Sequence, residues 1–427
     1  MRRLAAAVLV LLAAASARAQ SFGDFDGDGD PNGADNCPYT ANAAQTDSSV
    51  PPDGVGDACT CGDTNETGTT NVVDWVVLAR ALAQAAPGIG DPAKCSVVGG
   101  SLDCDAQDVA RLRAALAGSA ALEPVCRARV GAGELPARMA VAGDSITRGF
   151  GADCECNQTL QCILECAYPD LEQPEHSWFD GDDSSVFALL DRYRHFDASI
   201  GANSGAARSG ARMRGGSDSF QVQAARILGQ VPGPDLVVVL LGGNDICSRD
   251  CAQPGACGSP LFSDAEWREA IGLGLSPLVA SLPAHATVYL GSVPRVQDLY
   301  AAGQAKEDVE DDVNCDAVWQ TFDICRIATA TGTVNGETHA QRLLAIGARQ
   351  RRYNEILREE ALAYDSNANG LNPAGVQVVA EYVDEFTDSV GTFTFGPHDI
   401  NGSDCFHPSL QGQNAIAERL WRNSPVR

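Results

Sequence analysis

The 427-residue sequence sets 56 Asp and Glu against 30 Lys and Arg, a formal net charge of −26, with 44% hydrophobic residues and 16 cysteines. Such an acidic chain excludes a nucleic-acid partner, because binding to phosphates is driven mostly by Lys and Arg. The length allows one large domain with one or two small ones.

The chain opens with Arg2 and Arg3, an apolar run from Leu4 to Ala15, and the small-residue pattern Ala17-Arg18-Ala19 before Gln20. A basic start, a short apolar stretch and a small-x-small site predict a secretory signal peptide over residues 1–19. A membrane-spanning helix needs ~20 apolar residues, so no transmembrane segment is expected and the mature protein is read as secreted or held at the cell surface. Sixteen cysteines agree with export, since an oxidising compartment lets disulfides persist. Cys154, Cys156, Cys162 and Cys166 form the densest group, and no His stands beside them at zinc-ligand spacing.

Between Ser21 and Cys126 sixteen Asp and Glu face four Lys and Arg. The first part reads DFDGDGDPNGADNCP from Asp24. Closely spaced carboxylates with Gly at the bend suit calcium, which takes 6–8 oxygen ligands at about 2.3–2.6 Å. With the following ANAAQTD and DGVGDAC blocks, the pattern from Asp24 to Cys59 resembles a thrombospondin type 3 repeat. The resemblance implies structural Ca2+ at Asp24, Asp26, Asp28 and Asp35, in a module over residues 20–60.

Next, Asp63, Asn65, Thr67, Asn71 and Asp74 place oxygens at positions 1, 3, 5, 9 and 12 of a loop with Gly68 at position 6, the EF-hand spacing. The helix expected after it puts Trp75, Leu78 and Leu82 on one face. The loop and its LxRxL continuation resemble a dockerin half-repeat, which implies calcium at Asp63, Asn65, Asn71 and Asp74. A second copy, Cys95 to Leu116, lacks alternating acids; Cys95 and Cys104 are candidates to staple it. A dockerin-like helix pair over 61–126 implies a cohesin-like or cell-surface partner; the plainer alternative is a calcium-stiffened spacer.

From Ala137 apolar runs alternate with helical stretches: ARMAVAG, HFDASIGA, a helix from Phe220 to Leu228, DLVVVLLGG, a helix from Glu266 to Leu282, ATVYLGSV, a helix from His339 to Ala363, and GVQVVAEYV. Continuous apolar strands between helices predict an α/β fold with a parallel sheet covered on both faces. Chemistry in such folds lies at the carboxyl ends of the strands.

The first strand ends in Gly143-Asp144-Ser145, where a tight turn can present Ser145 as a nucleophile. DLVVVLL ends in Gly242-Gly243-Asn244-Asp245, and an Asn side chain there can donate to a developing oxyanion, a contact worth ~3–4 kcal/mol. Near the C-terminus Asp404-Cys405-Phe406-His407-Pro408 precedes a helical stretch. A carboxylate three residues before His can fix the imidazole tautomer and leave the other ring nitrogen to take the Ser proton. Of the remaining histidines only His398 in GPHD has a comparable setting.

GDS, a GA turn, GGND and DxxHP in this order resemble the four blocks of the SGNH or GDSL hydrolase family. The resemblance implies a three-layer α/β/α domain over 137–427 and a serine esterase or lipase working through an acyl-serine intermediate, with no cofactor for catalysis. Ser145 would be the nucleophile, His407 the general base and Asp404 its orienting partner. The Ser145 amide, a block-two glycine and Asn244 would form the oxyanion hole. For block two, ANSGAARSGARM aligns best on Gly210, with Gly205 as the rival. GGNDIC, the nearby Cys251 and DCFHPS look like the phospholipase-B-like and secreted-lipase branch. That branch implies a disulfide near the oxyanion loop, for which Cys247–Cys251 is one candidate.

The expected substrate is a carboxylic ester, a lipid or phospholipid acyl ester first and an acylated carbohydrate second. Trp178 and Phe179 could line an acyl cleft or form a sugar platform. A rival of another class is a calcium-dependent attachment protein whose hydrolase domain is inactive. An active enzyme should have a neutral to alkaline optimum, because His407 must be unprotonated to act as base.

Overall fold

Asn71 and Asp105 begin two helices of the N-terminal part in the same way. Asn71 accepts a hydrogen bond from the Val73 amide and Asp74 reaches back to the cap, starting α1 (Val72–Leu82). After the single turn α2 (Pro92–Cys95), Asp105 and Asp108 repeat that box at the start of α3 (Ala106–Leu116). The computed structural model describes residues 28–30, 35–37, 40–52, 54–83, 89, 92–95, 97, 104–120, 122, 135–154, 171–195, 197–381 and 395–424. The expected signal peptide and Cys156, Cys162 and Cys166 lie outside the described residues.

α1 and α3 pack through Leu78 and Leu112 around Cys95. Trp75 packs against the Leu78 cluster as expected, whereas Leu82, expected on the same face, is 40% exposed and Val77 is buried instead. Each fully buried aliphatic side chain contributes roughly 1.5–3 kcal/mol, so this core is too small to hold the unit alone. The disulfide Cys95–Cys104 supplies a covalent staple, as the sequence suggested. Upstream, Cys37–Cys59 closes the first segment and packs in the same cluster as Met139 and Val141.

Four apolar runs and one short edge segment make the sheet. β1 (Arg138–Gly143), β2 (Gly201–Asn203), β3 (Leu236–Leu240), β4 (Thr287–Leu290) and β5 (Gln377–Ala380) pair in parallel in the order β2-β1-β3-β4-β5. β3 is buried along its whole length, and its side chains divide by alternation. Val237 and Val239 join Ala140, Ala142 and Val288 in one cluster, while Leu236, Val238 and Leu240 join Met139, Val141 and Tyr289 in the other. The first face is covered by α5 (Phe220–Leu228), α7 (Asp264–Ser281) and α11 (His339–Asp365). The second is covered by α4 (Leu189–Arg194) and α12 (Leu410–Arg422). The domain is therefore a three-layer α/β/α structure. α5 and α7 approach so closely that a Cβ on Gly274 would lie 2.1 Å from the Phe220 ring.

Three expectations need correction. The strand expected across His195–Ala202 is reduced to Gly201–Asn203. α4 runs to Arg194, and the turn Asp197–Ile200 is closed by the Ile200 amide on the Asp197 carbonyl. Trp178 and Phe179 are completely buried in the second cluster, so they are core residues and not a substrate platform. Cys247 does not pair with Cys251. It ends α6 (Gly243–Cys247), where it meets Cys325 at the cap of α10 (Arg326–Thr329), and Cys251 pairs locally with Cys257. Between α8 (Leu299–Val309) and α10, α9 (Cys315–Phe322) is tied by Cys315–Cys405 to the loop before α12. Among the described residues no helix is long and apolar enough to cross a membrane.

Candidate active site

In the strand order β2-β1-β3-β4-β5 the chain reverses direction across the sheet between β1 and β3, and crevices open at such switch points beyond the strand carboxyl ends. Ser145 follows β1 there and Asn244 follows β3. The β1 turn is tight: the Phe150 amide donates to the Ser145 carbonyl at 3.0 Å, and Gly149 at φ 61° stands where a Cβ would lie 2.1 Å from the Gln173 carbonyl oxygen. Ser145 is 6% exposed. Beside it, the buried Asp144 accepts from the Ile146 amide at 3.0 Å. Burial pushes the Asp144 carboxyl up to about 7, against the backbone hydrogen bond and the nearby His407.

His407 arrives from a loop 262 residues away in sequence, with Nε2 2.8 Å from Ser145 Oγ. Its Nδ1 lies 2.6 Å from Asp404 Oδ2. Asp404 also accepts from the Phe406 and His407 amides, at 2.8 and 2.9 Å. Burial raises the Asp404 carboxyl, but the charge and hydrogen bonds of His407 outweigh it and hold the group below the ordinary carboxylate range. It therefore stays ionised beside the ring. His398 is exposed and stands outside this arrangement, its carbonyl accepting from Ser409 Oγ.

Asn401 organises this loop, a role no sequence motif marks. Its Oδ1 accepts from the Asp404 and Ser403 amides at 3.0 Å each, and its Nδ2 donates to the His407 carbonyl at 3.2 Å. Asn401 lies in an N-x-S sequon, yet its side chain is buried and committed to these bonds. Trp319 Nε1 donates to the Cys405 carbonyl at 3.3 Å, next to the Cys315–Cys405 bridge. The Phe150 ring covers His407 at a centroid distance of 4.5 Å.

Asn244 stands at the start of α6, after Gly242 at φ 123°, where a Cβ would press on Val293 at 2.8 Å. Its Nδ2 donates to the Ala211 carbonyl at 3.0 Å and approaches Asp144 Oδ2 at 3.4 Å. The structure thus joins block two, the Ser145 turn and Asn244. Gly205 spends its amide on Asn203 Oδ1 at 2.8 Å. The amides of Gly210 and Ser145 have no hydrogen-bond partner among the described residues. Asp245, next to Asn244, accepts from the Met213 and Arg214 amides at 2.7 and 3.0 Å, and burial raises its carboxyl to about 6.

Of the calcium-ligand expectations, Asp24 and Asp26 lie outside the described residues. Asp28 and Asp35 face one another across Gln45, whose Nε2 lies 3.4 and 2.8 Å from their oxygens. The Asn42 side-chain amide lies beside the same pair, and with its nitrogen turned toward them it donates to Asp28 Oδ2 and Asp35 Oδ1 at 3.2 Å each. In the second loop the Asn65 side-chain amide, with its nitrogen turned inward, donates to Asp63 Oδ1 at 3.0 Å, Asp74 Oδ1 at 2.9 Å and Thr67 Oγ1 at 2.8 Å. Burial, and then the neighbouring carboxylate, raise Asp35 beside Asp28 and Asp74 beside Asp63, and such converging carboxylates are the oxygen donors that calcium takes. Gly68 takes φ 80° at the sharp turn of the second loop. Asn71 is a correction: its side chain caps α1 and is not turned into this group. The buried Lys94 ammonium, 3.4 Å from Asp63 Oδ2 and 2.7 Å from the Asp57 carbonyl, is a feature the sequence did not suggest.

A family model described as GDSL-like lipase/acylhydrolase matches residues 139–420. A thrombospondin type 3 repeat model matches residues 23–45. No curated protein matches the chain in sequence. Similar solved structures include a protein from Lactobacillus plantarum, 17% identical, with a TM-score of 0.31 over 66% of this chain and 93% of that one. Another is a family two carbohydrate esterase from Clostridium thermocellum in complex with cellohexaose, 15% identical, with a TM-score of 0.32 over 66% of this chain and 62% of that one.

Proposed function

The chain belongs to the GDSL-like lipase/acylhydrolase family, and from that premise we propose that it is a secreted serine ester hydrolase with Ser145, His407 and Asp404 as its triad. The observation that carries this reading is the continuous hydrogen-bonded chain from Asp404 through His407 to Ser145 Oγ. His407 Nε2 takes the Ser145 proton as Oγ attacks the ester carbonyl. The resulting oxyanion is held by the Ser145 and Gly210 amides and by Asn244 Nδ2, which turns from its long contact with Asp144. Collapse expels the alcohol, which takes the proton from His407, and leaves an acyl-serine. Water then gives its proton to His407 and attacks the acyl carbon, and collapse returns that proton to Ser145 Oγ as the carboxylic acid leaves. Asp404, ionised throughout, fixes the ring and balances its charge.

Ahead of this domain we place a signal peptide at 1–19, a thrombospondin type 3 repeat at 20–60 and a dockerin-like helix pair at 61–126. Ca2+ would be structural, held by Asp28 and Asp35 in the repeat and by Asp63, Asn65 and Asp74 in the second loop. Paired capping boxes on α1 and α3 favour the dockerin-like reading, and disulfides favour an oxidising location. A cohesin-like or surface partner of that helix pair is part of the same reading.

Lipid acyl esters and acylated carbohydrates share this chemistry. The polar block-two loop, with Arg208 and Ser209 exposed, favours a polar alcohol half such as an acetylated carbohydrate over a long apolar chain. The test is fluorophosphonate labelling of the mature protein with the adduct located by mass spectrometry, followed by turnover of p-nitrophenyl acetate, p-nitrophenyl octanoate and acetylated xylan. An adduct on Ser145 that is lost in His407→Ala is expected, with acetyl esters turned over faster than octanoyl. Absence of an adduct on calcium-loaded protein would sink the hydrolase reading and leave the attachment alternative.

A further inference from the structure

The block-two loop must present the Gly210 amide at a fixed point, yet between Asn203 and Met213 it contains no helix or strand. What holds it comes from the segment 171–180, which no motif marks. Ser209 Oγ donates to Glu172 Oε1 at 2.6 Å, and the Ser209 amide is directed at the same carboxylate. Glu172 Oε2 accepts from Arg148 Nε at 2.9 Å. Arg148 belongs to the Ser145 turn, and the backbone bonds of that turn flank Glu172 on both sides. Gln173 N donates to the Arg148 carbonyl at 3.1 Å, and Gly151 N donates to the Leu171 carbonyl at 2.8 Å. At the other end of the loop Ser204 faces the carboxylate of Asp180, which burial raises and Ser204 lowers.

We propose that Glu172 is a positioning residue for the ester hydrolysis. It clasps Ser209, the neighbour of Gly210, and through Arg148 locks that amide in register with the Ser145 turn. The proposal rests on the hydrolase reading above. Its physical basis is that an oxyanion donor works by being fixed before charge develops, and that a 1 Å misplacement costs about 100-fold in rate. Glu172 touches neither substrate nor the reacting atoms in this account.

The experiment uses the full mature chain with calcium and p-nitrophenyl acetate, comparing Glu172→Gln, Glu172→Asp, Ser209→Ala and the Glu172→Gln/Ser209→Ala double variant. Expected are kcat values ~10–100-fold below the parent in Glu172→Gln, with KM within about twofold and Tm within about 2 °C. The rate of fluorophosphonate labelling at Ser145 should fall in proportion, because that adduct also places an oxygen in the oxyanion hole. Glu172→Asp, which keeps the charge, should recover part of the rate. The double variant should be no slower than the worse single, since both cut one linkage. A kcat within about twofold of the parent in both Glu172→Gln and Ser209→Ala, additive losses in the double, or a rise in KM at unchanged kcat would each overturn the proposal. If Glu172→Gln is unstable, the exposed Ser209→Ala decides by the same criteria. Failure of the parent itself to label or turn over ester would instead sink the underlying hydrolase reading.

Discussion

Ser145, His407 and Asp404 act as one hydrogen-bonded unit, so their removal should not be additive. Ser145→Ala and His407→Ala should each lower ester turnover by at least about a thousandfold, and the double variant should be no worse. Thermal melting within about 2 °C of the parent would separate this from unfolding. Asp144 provides a test of pH dependence at the same scale. Its carboxyl is raised to about 7 in the folded chain, so the neutral form is the one the fold prefers. Its contribution is therefore full below the ordinary Asp pKa of about 3.9 and is lost as pH climbs toward 7. Asp144→Asn, which keeps a neutral side chain at every pH, should remove that decline. Melting temperatures of the two proteins should diverge between pH 4 and pH 8, with the Asn variant favoured at the upper end. The gain is capped at ~4 kcal/mol by about 1.4 kcal/mol per pKa unit. Parallel curves would mean that burial does not perturb Asp144.

Among the elements, the loop carrying Asp404 and His407 is held by Asn401, by Trp319 and by the Cys315–Cys405 bridge, which spans 90 residues. Replacing both cysteines by Ser should cost roughly 2–4 kcal/mol of stability, read by urea unfolding, and should lower kcat more than it raises KM because His407 loses its fixed setting. Unchanged kcat would assign the bridge to stability alone. In the N-terminal module, the Lys94 ammonium already balances one oxygen of the fully buried Asp63 carboxylate. Lys94→Met should therefore tighten calcium binding severalfold in calorimetry while making the module melt earlier in chelator. Weaker calcium binding in that variant would show that Lys94 supports the loop instead of competing with the ion. The pairing of α1 with α3 was legible from spacing, but Lys94 was not, since it lies 31 residues from its partner on a separate turn.

Across the whole molecule, the triad chain and the oxygen-lined loops belong to different parts of the sequence and share no residue. Exhaustive chelation of the full chain should lower the melting of the N-terminal part, read by calorimetry, and leave kcat on p-nitrophenyl acetate within about twofold of the calcium-loaded protein. A loss of kcat in step with calcium removal would tie the ion to the active site. The Cys37–Cys59 bridge cross-links the repeat within itself and packs in the same apolar cluster as Met139 and Val141, so the repeat should keep that contact with the sheet even without the ion.

The sequence by itself determined the architecture of the large domain, because continuous apolar strands and amphipathic helices each state a period, and β1, β3, β4, β5 and the long helices follow those runs. It also brought forward Ser145, Asn244, Asp404 and His407, whose neighbours in sequence carry the chemistry. Tertiary structure alone decided the rest. The strand at His195–Ala202 gave way to a turn and a helix end, Trp178 and Phe179 went into the core, and Cys247 chose Cys325 over its near neighbour. Glu172, Asp180 and Asn401 acquired their contacts only when distant segments met. Periodicity reports which face of an element is buried, whereas a carboxylate on a loop carries no local sign of the hydroxyl or amide that folding will bring to it.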